Sequence, residues 1–334
     1  MNIVADLISG TILFAVPLLL VALGGMFSER SGVINIALEG IMIVGALFSC
    51  LYLRTVNIAG AANHAQGHMI AAMVVSVAAG GLYSLLLAVA AINLKANQTI
   101  GGTALNLLAP AFAIVLTWVI QGQGQTTIPL PDWRYINHAP FVFQNPDGFW
   151  ASLTLFLDRI VFKSLYITTP AAILVLVLAQ MFLYKTKTGL RLRACGEHPQ
   201  AADALGVNVY KMRYLGVFIS GCLGGLGGFA YTLAAGSGFQ STVAGYGFLA
   251  LAVMIFGNWK PLNILGASLF FAFFRIISSY ASSLPFLPKF ENIKSKENLY
   301  LMLPYIVTMI VLVLTSGKSR APKAEGIPYD QGKR

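Results

Sequence analysis

Charged residues are scarce in this chain of 334 residues, and their scarcity excludes most classes of soluble protein. Asp, Glu, Lys and Arg make up 10% of the sequence, against about 25% in a typical soluble domain, whereas 57% of the residues are hydrophobic. A water-soluble domain covers its surface with polar groups, and this composition cannot supply them. A soluble globular enzyme, a disordered chain, a collagen-like fibre and a disulfide scaffold are therefore excluded. An integral membrane protein with many spans remains.

Motifs for catalysis, nucleotide binding and metal binding are also missing. The three cysteines have no metal-ligand spacing, and Cys50 and Cys222 lie in apolar runs, which indicates packing. The sequence has no G-x-x-x-x-G-K-[ST] loop, no H-E-x-x-H and no nucleophile elbow. His64 and His68 have i,i+4 spacing, but the segment around them is rich in Gly, Ala and Asn, which is more typical of a loop than of a metal site. We therefore expect no catalytic residue, no metal and no cofactor in this chain.

Long apolar runs are what the sequence has instead. A helix needs about 20 predominantly apolar residues to cross the hydrocarbon core. Nine runs meet or approach this length, at 5–26, 33–53, 69–94, 98–120, 164–184, 212–235, 245–257, 262–283 and 299–316. They are continuous and do not alternate, which argues against a β-barrel. We expect an all-α, polytopic membrane protein with about 8–10 transmembrane helices in one domain over residues 1–334. The run 245–257 is short, as in a discontinuous helix.

Clusters of basic residues predict the orientation, because cytoplasmic loops carry an excess of Lys and Arg. Residues 185–213 hold six basic and two acidic side chains, so we expect the loop 185–211 in the cytoplasm. The basic tail 317–334 is expected on the same side, and the charge-balanced loop 121–163 outside. The net charge of +10 would suggest a nucleic acid partner in a soluble protein, but here it reflects topology. We expect a multi-pass protein of the cell membrane, surrounded by lipid and without a nucleic acid polymer as partner.

A short helix is predicted inside the cytoplasmic loop. Pro199 suits a first helical position, Ala201 and Ala202 favour helix, and Gly206 stops it. The preceding residues, Gly189–Cys195, are predicted to be a basic connector. The segment is either an ordinary basic loop or a helix that docks into a groove of a cytoplasmic partner. We favour docking, because a plain loop has no need of a helix with such defined ends.

This segment resembles the coupling loop of permeases in bacterial ATP-binding-cassette (ABC) importers. The pattern T-x-x-G-x-x-x-R-A-x-G-x-x-P-x-A-A-x-x-x-G is similar to that of the ribose, branched-chain amino acid and nucleoside group. Here it is matched by Thr186, Gly189, Arg193, Ala194, Gly196, Pro199, Ala201, Ala202 and Gly206. The resemblance implies that the helix 199–205 docks on a separate ATPase subunit, which binds the ATP.

A polar island interrupts the first two apolar runs at residues 24–40. Each charge near the membrane centre costs roughly 2.5–3.5 kcal/mol on insertion scales, so such residues are usually paired or face a cavity. Glu29 and Arg30 are interpreted either as part of a helix break beside the pathway or as a cytoplasmic turn in which they are solvated or bridge to another helix. Asn35 and Glu39 stand four residues apart and share a helical face, which favours a pore or interhelical role.

Two further segments supply candidate pathway residues. Thr99, Thr103 and Asn106 lie on one face of the fourth span, and their amide and hydroxyl groups could bind a polar solute. The Gly-rich segment before the short seventh run contributes Gln240, and Tyr246 and Phe248 begin that run. These aromatic rings could stack on a base, although packing is the commoner role of such rings. Glycines recur through 221–228, which predicts very close helix packing.

The string S-E-R-S-G-V-I-N-I-A-L-E-G at 28–40 closely resembles the N-terminal signature of nucleoside-type permeases served by basic-membrane-protein lipoproteins. Ribose permeases carry G-G-I-D-L-S-x-G there. Branched-chain amino acid permeases carry G-x-I-N-L-A-H-G, with histidine where Glu39 stands. The G-x-W-x-P turn at 257–261 resembles the second-half motif of the same permeases. The resemblance covers residues 10–315.

The resemblance implies the permease subunit of an ABC importer that moves nucleosides by alternating access. The expected partners are a second permease subunit in a heterodimer, a cytoplasmic ATPase and a lipid-anchored binding protein. One alternative changes the solute to ribose-like sugars or branched-chain amino acids. Another is a secondary transporter driven by an ion gradient, but Glu39 is the only obvious ion-coupling carboxylate for it, which argues against this alternative.

Overall fold

The computed structural model describes residues 2–58, 64–134, 166–280, 302, 306, 309, 310, 313 and 320–331. Within these residues the chain forms ten α-helices and no named strand. They are α1 (Asn2–Arg30), α2 (Leu38–Ile58), α3 (Ala65–Ala88), α4 (Gln98–Gln121), α5 (Thr168–Lys185), α6 (Lys187–Glu197), α7 (Pro199–Ala204), α8 (Val209–Ala235), α9 (Tyr246–Phe256) and α10 (Pro261–Ser279). A π-helical turn, Val89–Asn93, extends α3, and a 3₁₀ turn covers Asp132–Arg134.

Seven of the described helices are long and apolar enough to cross a membrane, namely α1 to α5, α8 and α10. The remaining apolar helix, α9, has 11 residues. At a rise of 1.5 Å per residue it is about 16 Å long, which is about half the thickness of the hydrocarbon core. The all-α polytopic prediction is confirmed. The ninth predicted run, 299–316, lies largely outside the described residues, as does the predicted outer loop beyond residue 134.

Helix α8 is the centre of the bundle, and its glycines are the reason. In its most apolar stretch 67% of the residues are buried, against 22% in α4. A Cβ atom on Gly225 would overlap the carbonyl oxygen of Ser76 in α3, and one on Gly228 would overlap that of Met42 in α2. A side chain on Gly227 would strike Val21 of α1. Close approach of several backbones is what small residues permit in membrane helices, so the predicted packing role is confirmed.

The basic loop is more helical than predicted. Pro199 starts α7 at its first position and Gly206, with φ at +79°, follows its end, as expected. The residues interpreted as a connector, Gly189–Cys195, instead belong to α6. Thr186 caps this helix, because its hydroxyl oxygen accepts a hydrogen bond of 3.0 Å from the Gly189 amide. The cap and the good helix formers after it outweigh the two glycines.

The basic loop and the tail meet at one end of the bundle. The Gly196 carbonyl at the end of α6 accepts a hydrogen bond of 2.8 Å from the Ala324 amide of the tail. Lys95, between α3 and α4, forms an ion pair of 3.1 Å with Asp330. The basic loop 185–211, Lys95 and the tail residues 320–331 therefore lie at one end of the bundle, which we call the docking end.

The glycine contacts of α8 make a testable prediction. We expect Gly225→Ala to destabilise the protein by about 1–3 kcal/mol, because the added methyl overlaps the backbone of α3. Gly266→Ala in α10 is the matched control, since a Cβ atom there meets nothing within 4 Å. Thermal unfolding of the purified protein in lipid nanodiscs compares the two. Equal midpoints for both variants would contradict the central position of α8.

Candidate functional site

The polar island is a break between α1 and α2. After Arg30 the chain makes a turn, continues without regular secondary structure through residues 33–35, and begins α2 at Leu38. The Ser28 hydroxyl donates a hydrogen bond of 2.7 Å to the Val33 carbonyl across this turn. Gly32 has φ at +95°, a backbone conformation that glycine adopts readily. The break lies against α8, where a Cβ atom on Gly216 would overlap the Ser31 side chain.

Polar side chains of α4 replace the hydrogen bonds that the break removes. The Asn106 side chain accepts a bond of 2.8 Å from the Gly40 amide and donates one of 2.8 Å to the Ile36 carbonyl. Gln98 accepts a bond of 2.8 Å from the Ile34 amide. An unpaired backbone group in a membrane interior costs several kcal/mol, so these two amides make the break possible.

Glu39 joins the break to the short helix α9. One carboxylate oxygen accepts a hydrogen bond of 2.8 Å from the Gly245 amide, and the other accepts one of 2.7 Å from the Gly247 amide. An anion at a helix N-terminus is favoured by the unpaired amides and the helix dipole. A Cβ atom on Gly247 would overlap the backbone of Glu39, so the two segments touch directly.

Asn35 connects the break to the central helix. Its side-chain amide donates a hydrogen bond of 2.8 Å to the Ser220 hydroxyl of α8, and the residue is completely buried. Its side-chain oxygen has no hydrogen-bond partner among the described residues.

Glu29 and Arg30 hold the turn between α9 and α10. A Glu29 carboxylate oxygen accepts a hydrogen bond of 2.6 Å from the Trp259 indole N–H. The Arg30 guanidinium donates to the Trp259 carbonyl, with an Nη2–O distance of 3.1 Å. Glu29 is 4% exposed, so it is not solvated, and both side chains bridge to the α9–α10 turn. A role of these two residues beside the pathway stays a prediction.

The other candidate pathway residues fall into two groups. Tyr246 is buried, with its ring centroid 4.5 Å from that of Tyr231 and 6.1 Å from that of Phe14. The exposed candidates are Thr99, Thr103, Gln240 and Phe248. Together with the preceding contacts, three of the eight predicted residues (Asn35, Glu39 and Asn106) support the break. Their role in binding a solute stays a prediction.

Some of the residues predicted to couple to an ATPase lie in α6 and pack against neighbouring helices, and the others lie in or beside α7. A Cβ atom on Gly196 would overlap the Arg30 carbonyl oxygen, and one on Gly189 would overlap that of Phe182. Arg193 lies over the ring of Tyr184, with its guanidinium carbon 4.9 Å from the ring centroid. These residues therefore fix α6 against α1 and α5.

One face of helix α7 packs against the rest of the protein, and the opposite face is exposed. Pro199 and Ala202 are buried, whereas Ala201 and Gly206 are exposed. Leu205, directly after the helix, is 86% exposed. Sequence reasoning included Leu205 in the predicted docking helix 199–205 but gave its exposed side chain no role of its own. It also missed the roles of Ser220 and Trp259, the latter within the G-x-W-x-P turn.

Comparison with known proteins identifies relatives along the whole chain. The family described as branched-chain amino acid transport system / permease component matches residues 7–312. The guanosine ABC transporter permease protein NupQ of Bacillus subtilis (strain 168) is 41% identical over 334 residues, which cover 100% of this chain and 99% of the relative. The nucleoside ABC transporter permease protein NupC of Lactococcus lactis subsp. cremoris (strain MG1363) is 38% identical, with 100% of both chains covered.

A second permease of the same bacterium matches only a part of the chain. The nucleoside ABC transporter permease protein NupB of Lactococcus lactis subsp. cremoris (strain MG1363) is 33% identical over 103 residues, which cover 30% of this chain and 28% of the relative. No solved structure shows significant similarity to the chain.

The support given by Asn106 can be tested by stability. We expect Asn106→Leu to lower the stability of the fold, because the Gly40 amide and the Ile36 carbonyl lose their partner. Each unpaired group costs about 1–3 kcal/mol. Thr103→Val, one turn earlier, is the control, since the Thr103 hydroxyl bonds only the Thr99 carbonyl of its own helix. Thermal unfolding in nanodiscs is the measurement, and equal midpoints for the two variants would rule out this role of Asn106.

Proposed function

The chain belongs to the family of permease components of branched-chain amino acid transport systems and is a multi-pass ABC transporter permease of the bacterial plasma membrane; from this premise, we propose that its solute is a nucleoside. The observation that carries the proposal is the similarity of two permeases, named for guanosine and for nucleosides, to the entire chain. The string at 28–40, which resembles the signature of nucleoside-type permeases and includes Glu39, agrees with it.

The solute-binding step is assigned to the exposed aromatic residue of α9. Of the two rings predicted to stack, Tyr246 is buried, whereas Phe248 is 51% exposed. Its position is well defined, because it directly follows Gly247, whose amide donates a hydrogen bond to the Glu39 carboxylate. A base offers a flat apolar face to such a ring. Gln240, Thr99 and Thr103 are exposed hydrogen-bonding groups that suit base edges and sugar hydroxyls.

The energy for transport is proposed to come from ATP hydrolysed by a separate subunit that docks on α7. A connected series of contacts could carry the movement from there. Gly196, near the end of α6 and just before α7, packs against the Arg30 backbone. The Arg30 guanidinium donates a hydrogen bond to the Trp259 carbonyl in the turn after α9. Glu39 holds the other end of the same helix. Displacement of α7 would thus move α9, and Phe248 with it, from one side of the pathway towards the other.

We further propose that a second permease subunit completes the pathway and that a lipid-anchored binding protein delivers the nucleoside. Two differently named nucleoside permeases of one bacterium, NupB and NupC, resemble this chain to unequal extents, which supports a heterodimer.

Uptake into proteoliposomes that contain the complete transporter tests the substrate. We expect ATP-dependent accumulation of labelled guanosine that excess unlabelled adenosine reduces and that ribose or leucine does not. A transporter whose ATPase lacks the Walker lysine is the control and should show no accumulation. Accumulation of ribose or leucine in place of guanosine would replace the substrate but keep the ABC permease. Accumulation that continues without ATP hydrolysis would overturn the ATP-driven mechanism.

Phe248 provides the residue-level prediction. We expect Phe248→Ala to lower uptake about tenfold, because stacking of a base on an aromatic ring is worth about 1–3 kcal/mol. Phe248→Tyr keeps the ring and should retain most of the uptake. Phe273→Ala removes an exposed ring of similar accessibility, 44%, from α10 and is the matched control. If Phe248→Ala imports guanosine like the control, Phe248 is not the stacking residue.

A further inference from the structure

The tail residues 320–331, here called the strap, lie across the docking end and bind it through backbone hydrogen bonds. The Ala324 amide donates a bond of 2.8 Å to the Gly196 carbonyl at the end of α6. The Gly326 amide donates one of 3.2 Å to the Gly32 carbonyl in the break between α1 and α2. The strap therefore contacts both the basic loop and the polar island.

A buried arginine of the central helix anchors the middle of the strap. Arg213 is 1% exposed, and its guanidinium donates a hydrogen bond of 2.9 Å to the Ile327 carbonyl. The Tyr329 ring is buried, 5.9 Å from the Arg213 guanidinium carbon and 5.4 Å from the Tyr210 ring centroid. Burying a guanidinium without a hydrogen-bond acceptor is costly. Removing the strap would remove the Ile327 carbonyl that accepts from Arg213, which would destabilise the buried Arg213 side chain.

Both ends of the strap reach moving parts of the proposed mechanism. The Gln331 side chain donates a hydrogen bond of 3.3 Å to the Asp203 carboxylate of α7. These two residues also line a groove of about 210 Å³ beside α7. At the other end, the Arg320 amide donates a bond of 3.1 Å to the Asn258 side chain, in the turn between α9 and α10.

We propose that the strap is a coupling element, which ties the docking helix α7 to the break between α1 and α2 and to the turn after α9, so that these parts move together during the ATPase cycle. This inference rests on the proposed function, because it assumes that an ATPase docks on α7. A tail that merely covers the docking end would need neither the bond to α7 nor the bond to the α9–α10 turn.

Truncation tests the strap in the complete transporter. A chain that ends at residue 319 lacks the strap, and a chain that ends at residue 331 keeps it and is the matched control. We expect the first to hydrolyse ATP within twofold of the full-length protein but to import at least tenfold less guanosine per ATP. The control should be unchanged. Equal guanosine import per ATP in both truncated chains would overturn the proposal.

A charge-swap experiment tests the strap if the shorter chain does not assemble into the complete transporter. Lys95 and Asp330 form an exposed ion pair that ties the strap to the start of α4. We expect Asp330→Lys to lower guanosine import per ATP, and the double variant Lys95→Asp with Asp330→Lys to restore at least half of it. If Asp330→Lys has no effect, or if the double variant gives no rescue, the strap does not act through this contact and the coupling role fails.

We expect docking of the strap to depend on pH through Glu325, which lies between the two strap amides that bind the docking end. Partial burial raises the pKa of the Glu325 carboxyl to about 7. The neighbouring Glu29 side chain and the Arg30 charge lower this pKa, but less than burial raises it. Other charges at this end are Glu197, 3.9 Å from Arg30, and Arg213. Because the docked state binds the proton more tightly than the free carboxyl does, docking weakens as pH rises from 4.5 to about 7.

Hydrogen exchange measures this docking without any solute, so it separates failure of the strap from failure of the proposed substrate. We expect the protection of the Ala324 and Gly326 amides to fall about tenfold between pH 5.5 and pH 8, after correction for intrinsic exchange. Glu325→Gln cannot ionise, so its protection should not change with pH. Unprotected amides at both pH values would show that the strap does not dock, whatever solute the transporter carries.

Discussion

Backbone amides and carbonyls inside a membrane must find partners within the protein, and the architecture of this molecule depends on that constraint. The chain breaks between α1 and α2 and begins α9 beside the break, which exposes groups that an unbroken helix would pair. Gln98, Asn106 and Glu39 supply the missing partners from side chains. The glycines of α8 then allow the surrounding helices to approach closely enough to enclose these bonds. The result is an irregular backbone within the bundle that is still paired.

The sequence predicted much of this framework because long apolar runs and recurrent glycines have one main physical meaning in a membrane protein. Eight of the nine runs correspond to helices, and the helix at 199–205 appears as α7, Pro199–Ala204. The polar side chains were harder to interpret, since an amide that binds a solute and one that binds the backbone are the same residue. Only the structure brings Glu39 to Gly245, which lies 206 positions away. The prediction of a connector at Gly189–Cys195 was wrong, because the Thr186 cap that begins α6 was not recognised.

The molecule divides into a tightly packed centre and an end held by polar contacts. Around α8 the backbones touch through glycines, so relative movement of α1, α2 and α3 would cost packing. At the docking end, a small apolar cluster of Cys195, Ala202, Val209 and Tyr329 is supplemented by hydrogen bonds and an ion pair, which can exchange partners at lower cost. A transporter that changes the side of its pathway needs both kinds of contact. The packed centre keeps the break intact, and in the proposed mechanism the docking end would convert the movement of a docked subunit into a shift of α9.

The Glu39 carboxylate also closes the N-terminus of α9 to other anions. The N-terminus of α9 is a place where phosphate groups commonly bind in proteins, because its amides are unpaired and the helix dipole is positive there. In this protein a built-in carboxylate already occupies those amides. A phosphorylated solute would therefore meet a negative charge where a helix would otherwise attract it, whereas a neutral solute would not. The group that holds the broken helices together thus also closes this helix N-terminus to phosphate groups.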